Sequence, residues 1–146
     1  MVDLTNIGTI LSLLVLVLAT QIIITFFHEL AHKISLKKRN IKSEIKWNIS
    51  GIIRSLGYAE MATCIFEEKK FMKLKDKDKK RIILAGFYSD LIFTLIFLIL
   101  SIASWAFLKG DYLWYYLNLN TLMLLLKLLL NIFSKKGDFE KLKQLT

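Results

Sequence analysis

The sequence predicts a membrane α-helical protein with three transmembrane helices and a small cytoplasmic β-hairpin or sheet between the first and second. Three observations predict it. The 146 residues are 55% hydrophobic and 12% aromatic, with a mean hydropathy of +0.48, yet 23% are charged, so charge is segregated from apolar blocks. Three apolar runs give spans over about residues 7–35, 82–108 and 113–134, around a polar loop of about 36–81. Fifteen of the 21 Lys and Arg lie between Lys33 and Arg81 and four follow Phe133, whereas Lys109 alone falls in an outer position. By the positive-inside rule this orientation puts the N-terminus outside and the C-terminus in the cytoplasm of a multi-pass membrane protein. Residues 1–146 are expected to form a single domain.

The first apolar stretch, Ile7 to Phe27, is long enough to cross a bilayer at about 1.5 Å per residue. It is preceded by Asp3 rather than by Lys or Arg and is too long for a signal h-region, so a retained helix is expected. In the polar loop, Ser43 to Ile49 alternates Ile45, Trp47 and Ile49 with Glu44, Lys46 and Asn48, which is strand periodicity. Gly51 breaks this run, and β-favouring residues return between Ile52 and Phe66, giving a hairpin. Lys69 to Arg81 is a lysine-dense run expected to be solvated. The second span is interrupted by Asp90 and ends before the turn Lys109-Gly110-Asp111. Trp105, Tyr112, Trp114, Tyr115 and Tyr116 then suit the outer interface, where amphipathic rings collect. The third span returns inward and stops at Lys135 and Lys136; the absence of proline means no helix carries a proline kink.

A net charge of +9 invites a nucleic-acid reading, but the basic residues flank apolar blocks and fit anionic lipid, so no nucleic acid is expected as a partner. The single cysteine, Cys64, excludes an internal disulfide and a cysteine-rich metal site and reads as a buried thiol.

The chemistry concentrates where the first apolar run ends, in His28-Glu29-Leu30-Ala31-His32. Histidines four apart on a helix are separated by about 400° of rotation, so both imidazoles leave one face, one turn apart. Two neutral imidazoles at that spacing can bind one Zn²⁺, with the intervening glutamate placed to take a proton from water. The competing reading, that these residues merely decorate an interfacial helix end, leaves three polar side chains beside a lipid span in need of partners. A catalytic zinc usually takes a third protein ligand. Asp138 follows the third span on the same predicted side as His28 and His32, with Glu140 as runner-up and Glu60 and Cys64 as weaker candidates. Asp90 lies deeper and reads as a supporting residue. Lys127, the other intramembrane charge, can pair with Asp90 or snorkel to the interface.

These residues resemble the site-2 protease family of intramembrane zinc metalloproteases. HELAH at a cytoplasmic helix end and an aspartate near the same end of a later span are similar to that family's zinc site. Ala85-Gly86-Phe87-Tyr88-Ser89-Asp90 resembles its Ala-Gly-Pro-x-x-Asn stretch, and Gly57-Tyr58-Ala59-Glu60-Met61 resembles its Gly-Tyr-Val-Lys-Met strand. Asn131-Ile132-Phe133 with Gly137-Asp138 resembles its Asn-Leu-x-Pro…Asp-Gly stretch. Both customary prolines are missing, Asp90 stands in place of asparagine, and the last motif reads Gly-Asp rather than Asp-Gly.

The resemblance covers most of the chain and implies a minimal member without a PDZ domain, similar to short members associated with maturation of small bacterial peptides. It implies zinc held by His28, His32 and Asp138, Glu29 as general base, and Asn131 as a helper bonding the substrate backbone or oxyanion. The substrate would be a transmembrane or membrane-associated peptide cut near the cytoplasmic face. Separately from the resemblance, an exposed strand edge near Ser43 to Ile49 or Gly57 to Cys64 could hold it extended by β-augmentation, the other reading of the hairpin being a simple membrane-surface lid. Two alternatives have different signatures. A catalytically silent peptide-binding or immunity protein of the same fold would not need Glu29, and a prenyl-protein endopeptidase usually carries more spans.

Overall fold

The computed structural model describes residues 6–48, 61–133 and Asp138. The elements run α1 (Ile7–Lys37), β1 (Ser43–Trp47), β2 (Ala62–Phe66), α2 (Glu68–Met72), α3 (Asp76–Phe107) and α4 (Tyr112–Phe133). Helices α1, α3 and α4 are long and apolar enough to cross a membrane, and the two-stranded hairpin lies between the first and second of them. The expected fold class is therefore the observed one.

Each boundary has a local cause. Asn6 caps α1 by accepting a 2.8 Å hydrogen bond from the Gly8 N–H, satisfying one of the amides that a helix start leaves bare. At the other end Asn40 adopts φ 56°, a left-handed conformation that asparagine tolerates. The Ile41 N–H then reaches back 3.2 Å to the Leu36 carbonyl, and Leu36 and Ile41 pack in the same apolar cluster. This ending turns the chain from α1 into β1.

Strands β1 and β2 pair antiparallel, with Ser43 opposite Phe66, Ile45 opposite Cys64 and Trp47 opposite Ala62. The alternation read between residues 43 and 47 is thus a strand; Ile49, Gly51, Gly57 and Glu60 lie outside the described residues. Trp47 stacks on Phe26 of α1 with ring centroids 6.3 Å apart. Leu36, Ile41, Cys64, Phe71, Ile82 and Ile83 form one buried cluster, joined by Phe66 and Leu74. This cluster draws together the end of α1, the hairpin, α2 and the start of α3, which pins β2 across the last turns of α1.

Two departures from the sequence expectation concern the lysine-rich run. It contains the short helix α2, and α3 begins at Asp76 rather than where the apolar run begins at Ile82. Asp76 and Asp78 occupy the first turn of α3, where carboxylates complement the helix dipole. Arg39 ties that turn to the end of α1 through a 2.9 Å ion pair with Asp78. The run is helical because its residues favour helix and its first turn is anchored; apolarity marks only the part meant for lipid.

Between the helices, polar contacts take over from apolar ones. Lipid tails are as apolar as leucine, so helix association in a bilayer relies on close packing and hydrogen bonds. Gln21 Nε2 donates to Asn120 Oδ1 at 3.0 Å, and both residues are buried. Thr20 and Tyr116 hydroxyls meet at 2.6 Å, and Ser101 donates to Asn118 at 2.8 Å. Large apolar side chains such as Val15, Ile99, Ile102 and Leu129 face outward, as a lipid-bathed bundle requires. Trp105 packs edge-on against Trp114 with Lys109 over its ring, in the cluster anticipated for the outer interface.

Candidate metal centre

The i, i+4 spacing on α1 delivers the two imidazoles to one face, and the surrounding elements fix how each presents itself. His32 Nδ1 lies 2.8 Å from the backbone carbonyl of Ile82 on α3. A carbonyl only accepts, so that nitrogen carries the proton. His28 Nδ1 lies 2.9 Å from Asp90 Oδ2, also on α3. Lys127 of α4 donates to the other oxygen of Asp90 at 2.9 Å, which favours the ionised, accepting carboxylate. In its neutral form each imidazole is therefore the Nδ1–H tautomer, with the Nε2 lone pair turned into the site.

Those two Nε2 atoms are 3.2 Å apart. Asp138 Oδ2 lies 3.6 Å from His28 Nε2 and 3.7 Å from His32 Nε2. Three electron-rich atoms thus converge with side chains 12%, 13% and 6% exposed. A dication satisfies all three. Ligand atoms at zinc distances of about 2.0–2.1 Å in a tetrahedron lie about 3.3 Å from one another, close to the spacings found here. Among the described residues this is the one group of three His, Cys, Asp or Glu side chains whose ligand atoms all lie within 4.8 Å of each other.

Gly86 makes room for this arrangement. A Cβ built there would fall 2.5 Å from His28 Nε2 and 2.6 Å from His28 Cε1, and it would collide with His32 Nε2. Any side chain on α3 at this point would occupy the space between the imidazoles. The sequence marked Gly86 as part of a resembling stretch, but a close backbone approach has no local signature.

Glu29 points to the same region from the far side. The Cys64 backbone N–H donates to Glu29 Oε2 at 2.7 Å, while Oε1 lies 3.9 Å from His28 Nε2. Since Cys64 stands opposite Ile45 in the ladder but sends its N–H to Glu29, β2 turns its outer edge toward the site. Asn131 engages Asp138 instead of standing apart: its Oδ1 accepts from the Asp138 N–H at 2.8 Å, and its Nδ2 lies 3.4 Å from Asp138 Oδ2. Of the other candidates for the third ligand, Glu60 and Glu140 lie outside the described residues. Cys64 is buried in the apolar cluster and Asp90 stands behind His28.

The three spans and the buried His/His/Asp cluster support a metal-binding site in a membrane protein, with a donor set suited to zinc. A scan against protein-family models finds no match, and neither the curated proteins nor the solved structures contain a significant match to the chain.

Proposed function

We propose that this protein is an intramembrane zinc endopeptidase of the site-2 protease type. It hydrolyses a peptide bond in a membrane-embedded or membrane-associated peptide near the cytoplasmic face. The observation that carries the reading is the convergence of His28, His32 and Asp138 with a glutamate oxygen beside them, at the end of a helix long enough to span a bilayer. The basic residues around this end support its placement on the cytoplasmic side.

His28, His32 and Asp138 would hold the zinc, which would supply Lewis acidity for carbonyl polarisation and water activation. Glu29 accepts the proton of that water as its oxygen bonds to the carbonyl carbon, then delivers it to the amine nitrogen as the C–N bond breaks. Asp90 and the Ile82 carbonyl hold the imidazoles in the tautomer that exposes Nε2. Asn131 acts here through Asp138, which it holds by two contacts, and a direct hydrogen bond to substrate would require part of its amide to exchange partners. The outer edge of β2 supports the strand-pairing idea: a substrate must be unwound before cleavage, and an edge beside Glu29 could hold it extended.

The test pairs metal analysis with cleavage. Wild type and Glu29→Gln purified in detergent should each contain about one zinc per chain. Only wild type should cleave co-expressed small membrane peptides. Zinc in both with no Glu29-dependent cleavage would favour the silent peptide-binding protein, and absence of stoichiometric zinc would defeat this reading and the prenyl-protein endopeptidase reading together.

A further inference from the structure

Behind the three converging donors stands a chain of charge that links all three spans. Lys127 on α4 contacts Asp90 Oδ1, Asp90 on α3 contacts His28 Nδ1, and His28 on α1 turns its Nε2 to the site; both contacts measure 2.9 Å. Asp90 is fully buried, and the Lys127 side chain is 21% exposed. Ionisable groups this deep in a span are costly, and one that merely neutralised a neighbour could be replaced by two apolar residues at no loss of packing. We propose that Asp90 and Lys127 are positioning residues for the metal centre: Asp90 fixes the tautomer and ring orientation of His28, and Lys127 orients Asp90 and pairs with its charge. This inference rests on the metal reading above and deepens it.

The charge balance points the same way. A dication beside neutral His28 and His32 is matched by the carboxylates of Asp138 and Glu29. A third uncompensated carboxylate would leave the site negative in a medium that solvates charge poorly, and Lys127 removes that excess. Geometry assigns the other function. An imidazole has two nitrogens and can rotate about its side-chain bonds, so a two-nitrogen ligand needs an acceptor on one side to guarantee a lone pair on the other. For His32 the acceptor is a backbone carbonyl and cannot be mutated away; for His28 it is a side chain, and that side chain needs a cation. Lys127 and Asn131 are four residues apart on α4, so one helix face supports His28 through Asp90 and Asp138 directly.

The test compares two charge-free double variants that differ in one hydrogen-bond acceptor. Asp90→Asn with Lys127→Met keeps a carbonyl oxygen for the His28 Nδ1–H; Asp90→Ala with Lys127→Met removes it. Neither leaves an unpaired charge in the bundle, and melting of the metal-free proteins in the same detergent checks that both fold. Competitive titration with Zn²⁺ against a chromophoric chelator should find the Ala double about 10–100-fold weaker than the Asn double. Nitrogen NMR of labelled histidine should find His28 as the Nδ1–H tautomer in the Asn double and mixed in the Ala double. The single variant Asp90→Asn, which leaves Lys127 facing the dication without its counter-charge, should bind zinc more weakly than the Asn double. Equal zinc affinity in the two doubles overturns the role of Asp90, and equal affinity of Asp90→Asn and the Asn double overturns the charge compensation assigned to Lys127. Either result with a zinc-binding wild type leaves the metal centre standing. A wild type that binds no zinc overturns both readings.

Discussion

Glu29 and Cys64 are joined by a 2.7 Å hydrogen bond that runs from the backbone of β2 to the carboxylate on α1. The hairpin therefore does more than cover the site: it grips the residue on which hydrolysis would depend, leaving one carboxylate oxygen on the side of the imidazoles. Glutamine at position 29 can still accept from the Cys64 N–H but is not a base. We expect Glu29→Gln to melt within a few degrees of wild type and to retain zinc, while cleavage falls by about 10²–10⁴-fold. Melting in detergent, metal analysis and a peptide-cleavage assay on the same preparations check this. Loss of zinc in Glu29→Gln would mean that Glu29 supports the metal rather than the proton transfer.

The glycine on α3 gives a sharper steric prediction. A methyl group at position 86 would sit between the imidazoles, 2.5 Å from His28 Nε2. The imidazoles can move only by giving up the Asp90 and Ile82 contacts that hold them. Gly86→Ala should therefore abolish stoichiometric zinc binding and cost about 1–3 kcal/mol through overpacking. Metal titration and chemical unfolding of the metal-free protein measure the two effects separately, and undiminished zinc affinity would show that the donors meet elsewhere.

Much of this architecture was legible in the chain because lipid imposes simple rules. Three apolar runs became three long helices, alternation at Ile45 and Trp47 became β1, and the His28–His32 spacing put two imidazoles on one face. The Asp90–Lys127 pair could be suspected because both charges fall within spans. What escaped the sequence depends on tertiary geometry or on backbone groups. The Ile82 carbonyl and the Cys64 N–H exist at every residue, so nothing distinguishes those that orient His32 and Glu29. The early start of α3 at Asp76 was hidden because hydropathy reports where a helix meets lipid, not where it begins.

The buried pair Gln21–Asn120 tests the bundle independently of the metal centre. Gln21 is 5% exposed and Asn120 is fully buried, and the 3.0 Å bond between them joins α1 to α4 within the spans. Asn120 also donates to the Tyr116 carbonyl at 2.9 Å, so it would not be idle without Gln21. A double-mutant cycle with Gln21→Leu and Asn120→Leu, read by unfolding in mixed micelles, should return an interaction energy of about 0.6–2 kcal/mol. Additive single effects would mean that the two helices are held together by packing alone.

Cys64 makes the hairpin's contact with α1 readable by pH. Burial pushes its thiol above the ordinary range, and the nearby Glu29 carboxylate pushes in the same direction, while a Ser43 hydrogen bond and Lys33 pull more weakly the other way. In the folded protein the thiol thus stays protonated at pH values where an unfolded chain would already have ionised it. The raised folded value means that this contribution to stability is present below the ordinary thiol range and is lost as pH rises through the folded value. The thiolate is the reactive form, so alkylation by iodoacetamide should be slow at neutral pH and should accelerate at higher pH than in the denatured chain. Cys64 is the only cysteine, so mass spectrometry of intact protein counts the modification without ambiguity. Replacing the carboxylate by Glu29→Gln removes one of the two upward pushes and should shift the alkylation profile toward lower pH. An unchanged profile would separate Cys64 from Glu29 and detach β2 from the end of α1.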